Sequence, residues 1–371
     1  MDGPFVADAF AAAGPEARAS STTVPHAGQK RAPSGSAAPQ FAQPGSSRVP
    51  HEAQNLWSAW TAEPQFGQFI VRAACLLSAT VSSPAPGSSV PQCGITQLDG
   101  DKMPNVRANG LDIAYEVLGA GPPLVLLHGA TSTGREDFAA QIPSLARAFL
   151  VHIPDARGHG STRWDAAAGF RYDWLVEDLL AFVDALGLET FHLIGFSMGA
   201  MTALQFATRF PERLRTLVVV GITTQREPRA SVAARLMDPD WIDRNDAPWA
   251  RELDARHDAG QGPGAWRRLL PAIAADVRVQ PLLTPRDLRR VELPALVACG
   301  DRDPFVPVDH AWGLQRQLPD GRLFVAPDCG HEVMVRRQGL FNEVLAGFYR
   351  STEGAAKRRA AGVARRFDDP A

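Results

Sequence analysis

Short runs of apolar residues recur along the chain between residues 123 and 328. Each run is apolar at consecutive positions rather than at alternate ones, so it would be buried on both faces. That pattern is typical of strands inside a parallel sheet. We therefore predict strands at 123–129, 149–155, 191–196, 214–222, 294–300 and 322–328.

A pair of alternating runs precedes these strands, in "VRANGLDIAYEVLG", on either side of Asn109-Gly110. The Asn-Gly pair favours the positive φ angles of a tight hairpin turn. The pattern predicts an antiparallel hairpin that forms the first two strands of the sheet.

Amphipathic segments separate the strands. One of them, "YDWLVEDLLAFVDALG" (172–187), has apolar residues at helical spacing and ends at Gly187. Strand and helix alternate, which predicts an α/β fold with a mostly parallel sheet and helices on both faces. Residues 223–285 interrupt the alternation with helical patterns such as "WRRLLPAIAADV", so we predict an inserted helical cap there.

The two ends of the chain differ from this region in composition and in apolar pattern. Residues 1–102 are rich in Ala, Pro, Ser, Gly and Gln and have no sustained apolar period, which predicts a low-complexity, disordered leader. It could be a regulatory or targeting arm, a linker without chemistry, or a segment upstream of a translation start at Met103. One α/β domain is expected at 103–350, with the final helix at "NEVLAGFYR", and a basic tail at 351–371.

Composition narrows the function classes. The formal net charge of −2 shows no basic bias, so nucleic acid is not the expected partner. The 4 cysteines are scattered without CxxC spacing, which argues against a disulfide framework or a zinc site. No apolar run is long enough for a membrane span. We expect a cytoplasmic protein that acts on a small molecule, with no membrane or metal involved; the oligomeric state stays open.

Ser197 lies at a cramped corner, in "GFSMG", between a predicted strand and a predicted helix. So sharp a turn requires small residues two before and two after the serine, which Gly195 and Gly199 supply. The turn exposes Ser197 at the carboxyl end of the sheet. A G-x-S-x-G pattern between a strand and a helix indicates a nucleophilic serine. A serine hydroxyl is a weak nucleophile without a base and an acid that orients the base.

Both groups occur later in the chain. "ALVACGDRDPFVP" places Asp301 and Asp303 just past a predicted strand, and "RLFVAPDCGHEV" places His331 after the next one. Because the carboxyl ends of parallel strands share one edge of the sheet, these groups are candidates to meet Ser197.

Residues 104–350 resemble the α/β-hydrolase fold family. The resemblance implies the chain order nucleophile, acid, histidine, with the acid in a G-x-x-D pattern; it favours Asp303, and leaves Asp301 to hold the turn. "LLHGATSTG" resembles the family's H-G loop at His128 and Gly129. It implies an oxyanion hole formed by the backbone N–H groups of Ala130 and Met198.

The expected function is a serine hydrolase that cleaves a carboxylic ester or lactone without a cofactor. Cleavage of carbon–carbon bonds in ring-fission products and cofactor-free perhydrolase activity are alternatives within the family, and a non-catalytic ligand-binding relative is an alternative outside enzymes. The apolar residues of the cap indicate either contact with an apolar substrate group or the interior of the cap itself. They are Leu236, Met237, Trp241, Trp249, Trp266, Leu269 and Ile273.

Overall fold

The structure, a computed structural model, describes residues 103–367, with side chains as far as Gly354. The predicted leader at residues 1–102 lies outside the described residues. In the described part of the chain, no helix is both long enough and apolar enough to cross a membrane.

One sheet of 8 strands forms the centre of the domain, in the order β1-β2-β4-β3-β5-β6-β7-β8. The pairs β1–β2 and β2–β4 are antiparallel, and the pairs from β4–β3 to β7–β8 are parallel. All six strands predicted from the apolar runs are present, because a strand covered on both faces must be apolar at consecutive positions. The strands are β1 (Asn105–Ala108), β2 (Leu111–Gly119), β3 (Pro123–Leu127), β4 (Leu150–Pro154), β5 (Phe191–Phe196), β6 (Leu214–Val220), β7 (Ala295–Gly300) and β8 (Gly321–Ala326).

The predicted hairpin joins β1 to β2. Asn109 and Gly110 both have positive φ, 46° and 74°, as a two-residue hairpin turn requires. Asn109 also donates a hydrogen bond from Nδ2 to Oδ1 of Asp178, which ties the turn to a helix.

Helices cover both faces of the sheet and pack on two separate apolar cores, one on each side. The helices outside the connection between β6 and β7 are α1 (Gly134–Asp137), α2 (Ile142–Leu145), α3 (Tyr172–Ala185), α4 (Met198–Arg209), α10 (Val308–Gln317), α11 (Val333–Arg336) and α12 (Gln338–Phe367). The predicted tail begins at residue 351, but α12 continues through that boundary to Phe367, so the last helix is longer than predicted.

The connection between β6 and β7 is the inserted cap. It holds helices and no strand, as predicted, because its apolar residues recur at helical spacing. The cap helices are α5 (Arg229–Leu236), α6 (Pro239–Asn245), α7 (Ala247–Gln261), α8 (Trp266–Val279) and α9 (Pro285–Leu288).

Candidate active site

Ser197 lies at a strained corner between β5 and α4. Its backbone has φ 49° and ψ −108°, a conformation that a residue with a side chain rarely adopts. A Cβ atom at Gly195 would lie 2.3 Å from the carbonyl oxygen of Gly199, and a Cβ at Gly199 would lie 2.2 Å from that of Leu127. Only glycine fits at either position, so the two glycines of the motif make this turn possible.

Ser197, His331 and Asp303 form one hydrogen-bonded chain. Oγ of Ser197 lies 3.0 Å from Nε2 of His331. Nδ1 of the same imidazole lies 2.8 Å from Oδ2 of Asp303. Each partner lies within hydrogen-bond reach of the next, across 134 and 28 positions of sequence. The structure therefore brings together the three residues that the motifs indicated.

The two aspartates after β7 have different surroundings. The Asp303 side chain is fully buried, and its Oδ1 accepts hydrogen bonds from the N–H groups of Phe305 and Val306. Asp301 is exposed and accepts the N–H of Cys329 at 2.9 Å, which connects the loops after β7 and β8. Asp303 thus faces the imidazole, while Asp301 holds the turn.

The His331 ring lies against two phenylalanines. Its centroid is 4.4 Å from that of Phe305 and 4.9 Å from that of Phe196. Burial by itself lowers the pKa of His331, but the charge of Asp303 and its hydrogen bond outweigh that effect, with help from Glu332 and Asp137. The net result is a pKa raised above the ordinary histidine value.

The loop after β3 lies next to the elbow. Gly199 donates its N–H to the carbonyl of His128 at 3.0 Å, which joins this loop to the first turn of α4. Met198 is the first residue of α4, so its N–H has no acceptor within the helix. Among the described residues, none accepts a hydrogen bond from the N–H of Ala130 either. Both predicted oxyanion donors therefore have N–H groups free for a ligand.

His128 has a structural position. Its Nδ1 lies 2.7 Å from the carbonyl of Gly129, and its Nε2 accepts the N–H of Ala156. Burial, together with a smaller effect of the neighbouring His159, lowers the pKa of His128 to about 3. A neutral imidazole here fixes the shape of the loop that carries Gly129 and Ala130.

Three buried histidines stack edge to face from this loop into the cap. His128 and His159 have ring centroids 4.9 Å apart, and His159 and His257 have centroids 5.5 Å apart. Burial lowers the pKa of His257 to about 2 and also lowers that of His159. We refer to these three residues as the histidine stack; it joins the domain core to cap helix α7.

Asp137, at the end of α1, is a residue that the motif analysis missed. Its Oδ2 accepts the N–H of Gly129 at 2.8 Å, so it fixes the backbone of the glycine in the H-G loop. Burial raises the pKa of Asp137 to about 7, although the hydrogen bonds from Gly129 and Ser132 oppose the shift. No short motif marks this carboxylate, which lies 8 residues after Gly129 of the H-G loop.

Arg256 of the cap was also missed. Its Nη1 donates to the carbonyl of Thr131 at 2.8 Å, and its guanidinium forms an ion pair with Glu136. The guanidinium also lies over the Trp249 ring, with 5.1 Å between Cζ and the ring centroid. The cap is thus fastened directly to the loop that follows Ala130.

The apolar residues proposed for substrate contact lie mostly inside the cap. Helical packing accounts for them, because their side chains form part of the large core on that side of the sheet. Leu236 and Trp241 are only half-buried. The buried ones are Met237, Trp249, Trp266, Leu269 and Ile273. Their composition therefore gives little support for an apolar substrate group.

Comparison with known proteins agrees with this architecture. A family model for the α/β hydrolase fold matches residues 122–259. Over 278 residues the chain is 30% identical to a 2-hydroxy-6-oxononadienedioate/2-hydroxy-6-oxononatrienedioate hydrolase of Paraburkholderia phymatum, covering 68% of this chain and 96% of that protein. The chain belongs to the α/β-hydrolase fold family and is a hydrolase.

Its relatives within the family differ in chemistry. The chain is 27% identical over 294 residues to the serine hydrolase BPHL of Homo sapiens, covering 76% of this chain and 97% of that one. Among solved structures, Est816, described as an N-acyl homoserine lactone degrading enzyme, is 25% identical with a TM-score of 0.55. That match covers 66% of this chain and 100% of the other.

Proposed function

We propose that the protein is a serine hydrolase that cleaves a carboxylic ester or lactone through an acyl-enzyme. The observation that carries the proposal is the continuous hydrogen-bonded chain from Ser197 through His331 to Asp303, with Ser197 presented on a strained elbow. This is the arrangement in which a serine oxygen becomes a nucleophile near neutral pH.

In the first half of the reaction, Nε2 of His331 takes the Oγ proton of Ser197 as that oxygen bonds to the substrate carbonyl carbon. The carbonyl oxygen becomes an oxyanion, which the N–H groups of Ala130 and Met198 stabilise. When the tetrahedral centre collapses, the imidazolium gives its proton to the departing alkoxide. An acyl group then remains on Ser197.

The second half repeats these steps with water. His331 takes a proton from water, the hydroxide oxygen bonds to the acyl carbon, and the proton returns to Ser197 Oγ as the acid leaves. Asp303 keeps the Nδ1 proton of the imidazole in place and stabilises the imidazolium in both halves. Its two backbone donors, Phe305 and Val306, hold the carboxylate in the required orientation.

Cleavage of a carbon–carbon bond in a ring-fission product is the second candidate. The observation in its favour is the relative from Paraburkholderia phymatum, whose name places it in that reaction class. The same serine, base and oxyanion donors would serve such a reaction, because a carbonyl carbon is again the electrophile. Lactone cleavage is supported in the same way by Est816.

The test uses Ser197→Ala with Ser144→Ala as the matched control, since Ser144 is an exposed residue of α2. A fluorophosphonate should label the wild-type protein and the control at Ser197, and should not label Ser197→Ala. Hydrolysis of p-nitrophenyl esters or lactones should fall by roughly 10⁴-fold or more in Ser197→Ala, with the thermal transition retained.

Two other results would change the reaction that we propose. Labelling at Ser197 without turnover of any ester or lactone, but with cleavage of ring-fission ketones, would favour the second candidate. A wild-type protein that is neither labelled nor active on any of these substrates would contradict a serine hydrolase.

A further inference from the structure

Arg229, the first residue of cap helix α5, is a buried cation. Only 5% of its surface is exposed. Its Nε and Nη2 atoms are fully buried, and no hydrogen-bond acceptor among the described residues reaches either of them. Burying charged donors without acceptors is costly, so such a group is uncommon unless an ordered water, an ion or another ligand completes it.

The neighbours of Arg229 do not neutralise that edge. Asp276 and Tyr172 are close enough to influence its charge, but Oδ2 of Asp276 accepts the backbone N–H of Tyr172 at 3.0 Å. Burial raises the pKa of Asp276, against the hydrogen bond from Tyr172 and the charge of Arg171. Arg226, a second nearby cation, donates to the carbonyls of Val277 and Gln280. The local charge is therefore positive.

Nε and Nη2 are the two donors of a guanidinium that point in parallel and match the two oxygens of one carboxylate. The same edge is used elsewhere in this protein. Nε and Nη2 of Arg157 each donate to one carboxylate oxygen of Asp178, both at 2.6 Å. In Arg157 the protein supplies the carboxylate, whereas the matching edge of Arg229 has no acceptor in the part of the chain that the structure describes.

We propose that the Nε–Nη2 edge of Arg229 binds the carboxylate of a small molecule where the cap meets the start of α3. The site includes none of Ser197, His331 and Asp303; only its occupation by a substrate carboxylate rests on the hydrolase reaction proposed above. The carboxylate comes either from a free carboxylic acid or from the remote acid group of an ester substrate. Bound there, it ties α5 of the cap to α3 and α8.

The binding test measures the melting temperature in sodium acetate, sodium succinate and sodium chloride at equal pH and ionic strength. Ser197→Ala is the background, so that hydrolysis plays no part. Acetate or succinate should raise the melting temperature in a saturable way that chloride does not reproduce. Arg235→Gln, an exposed arginine of the same helix, should retain the full shift.

Arg229→Met and Arg229→Lys should both lose the carboxylate-dependent shift. The Met variant removes a buried unpaired charge and should melt in chloride at or above the wild-type temperature. The Lys variant keeps a charge but loses the two-pronged edge, so it serves if the Met variant does not fold. A carboxylate shift that persists in both, or that is absent from the wild-type protein, would overturn the proposal.

The source of the carboxylate is settled by kinetics on the active protein. If it belongs to the substrate, Arg229→Met should lower kcat/KM for the mono-p-nitrophenyl ester of glutaric acid by tenfold or more and leave p-nitrophenyl butyrate unchanged. If it is a free acid, added acetate should change the rates on both esters alike, and only in protein that retains Arg229. Both results support the site and differ only in the ligand.

Discussion

A methyl group at Gly221 would lie 2.9 Å from Cε1 of His331 and 3.1 Å from its Nδ1. Gly221 follows β6 and has φ 66°, so the absence of a side chain there makes room for the imidazole. Gly221→Ala should displace the ring from Ser197 and lower kcat by about 10²-fold. Steady-state kinetics on an ester substrate would measure the loss.

Gly187→Ala separates the steric effect from backbone strain. Gly187 also has φ 66°, but a Cβ atom there meets nothing within 4 Å. This control should lose about 1 kcal/mol of stability and retain its kcat. Equal kcat losses in the two variants would mean that the contact with His331 is unimportant.

Replacing the aspartates after β7 should give unequal losses. Asp303→Asn should lower kcat by roughly 10⁴-fold, because an amide there no longer favours the required tautomer of His331. Asp301→Asn should lower it by less than about tenfold, since Asp301 accepts a hydrogen bond from the backbone N–H of Cys329 rather than from His331. Kinetics on both purified variants tests the order; the reverse order would assign the orienting role to Asp301.

The acid limb of the pH–rate profile should depend on Asp137. Burial raises the pKa of Asp137 to about 7, so Asp137 is only partly ionised over the acid limb; its ionised fraction raises the pKa of His331, and Asp137→Asn should lower that pKa. His331 would then stay neutral, and able to act as a base, to a lower pH. The acid limb of kcat/KM should therefore move to lower pH in Asp137→Asn, while Asp137→Glu should leave it near the wild-type position. A limb that moves upward would contradict the assignment.

Arg256→Gln should loosen the cap from the loop after Ala130. It removes the hydrogen bond to Thr131 and the ion pair with Glu136. The expected cost is about 1.5–3 kcal/mol in the free energy of unfolding. Arg251→Gln, an exposed arginine on the same helix, should change it by less than about 0.5 kcal/mol. Urea unfolding of both variants provides the comparison.

The strands and the candidate site could be predicted because their signals are local. A strand buried on both faces shows a continuous apolar run, and the elbow shows its two glycines around Ser197. The position of His331 followed from parallel strands ending at one edge of the sheet.

The roles of Asp137, Arg229 and Arg256 could not be predicted from sequence. Arg256 contacts Thr131 across 125 positions. Asp137 contacts Gly129 within one loop, where no motif marks the contact, and Arg229 differs from the other arginines by an edge without an acceptor in the described residues. Arginine is common in the cap, and sequence does not show which arginine is buried or which lacks an acceptor. The apolar cap residues illustrate the same limit, since substrate contact and helix packing need the same side chains.

The histidine stack couples folding to the binding of protons. His128, His159 and His257 are uncharged in the folded protein, whereas exposed histidines bind a proton below about pH 6.5. Below that pH the chain takes up protons as it unfolds. Its free energy of unfolding therefore falls as the pH is lowered, by about 1.4 kcal/mol per pH unit for each histidine. The protons taken up in acid come from the buffer, so the measured heat of unfolding includes the ionisation heat of the buffer. At one pH, that heat should differ between an acetate buffer and an amine buffer.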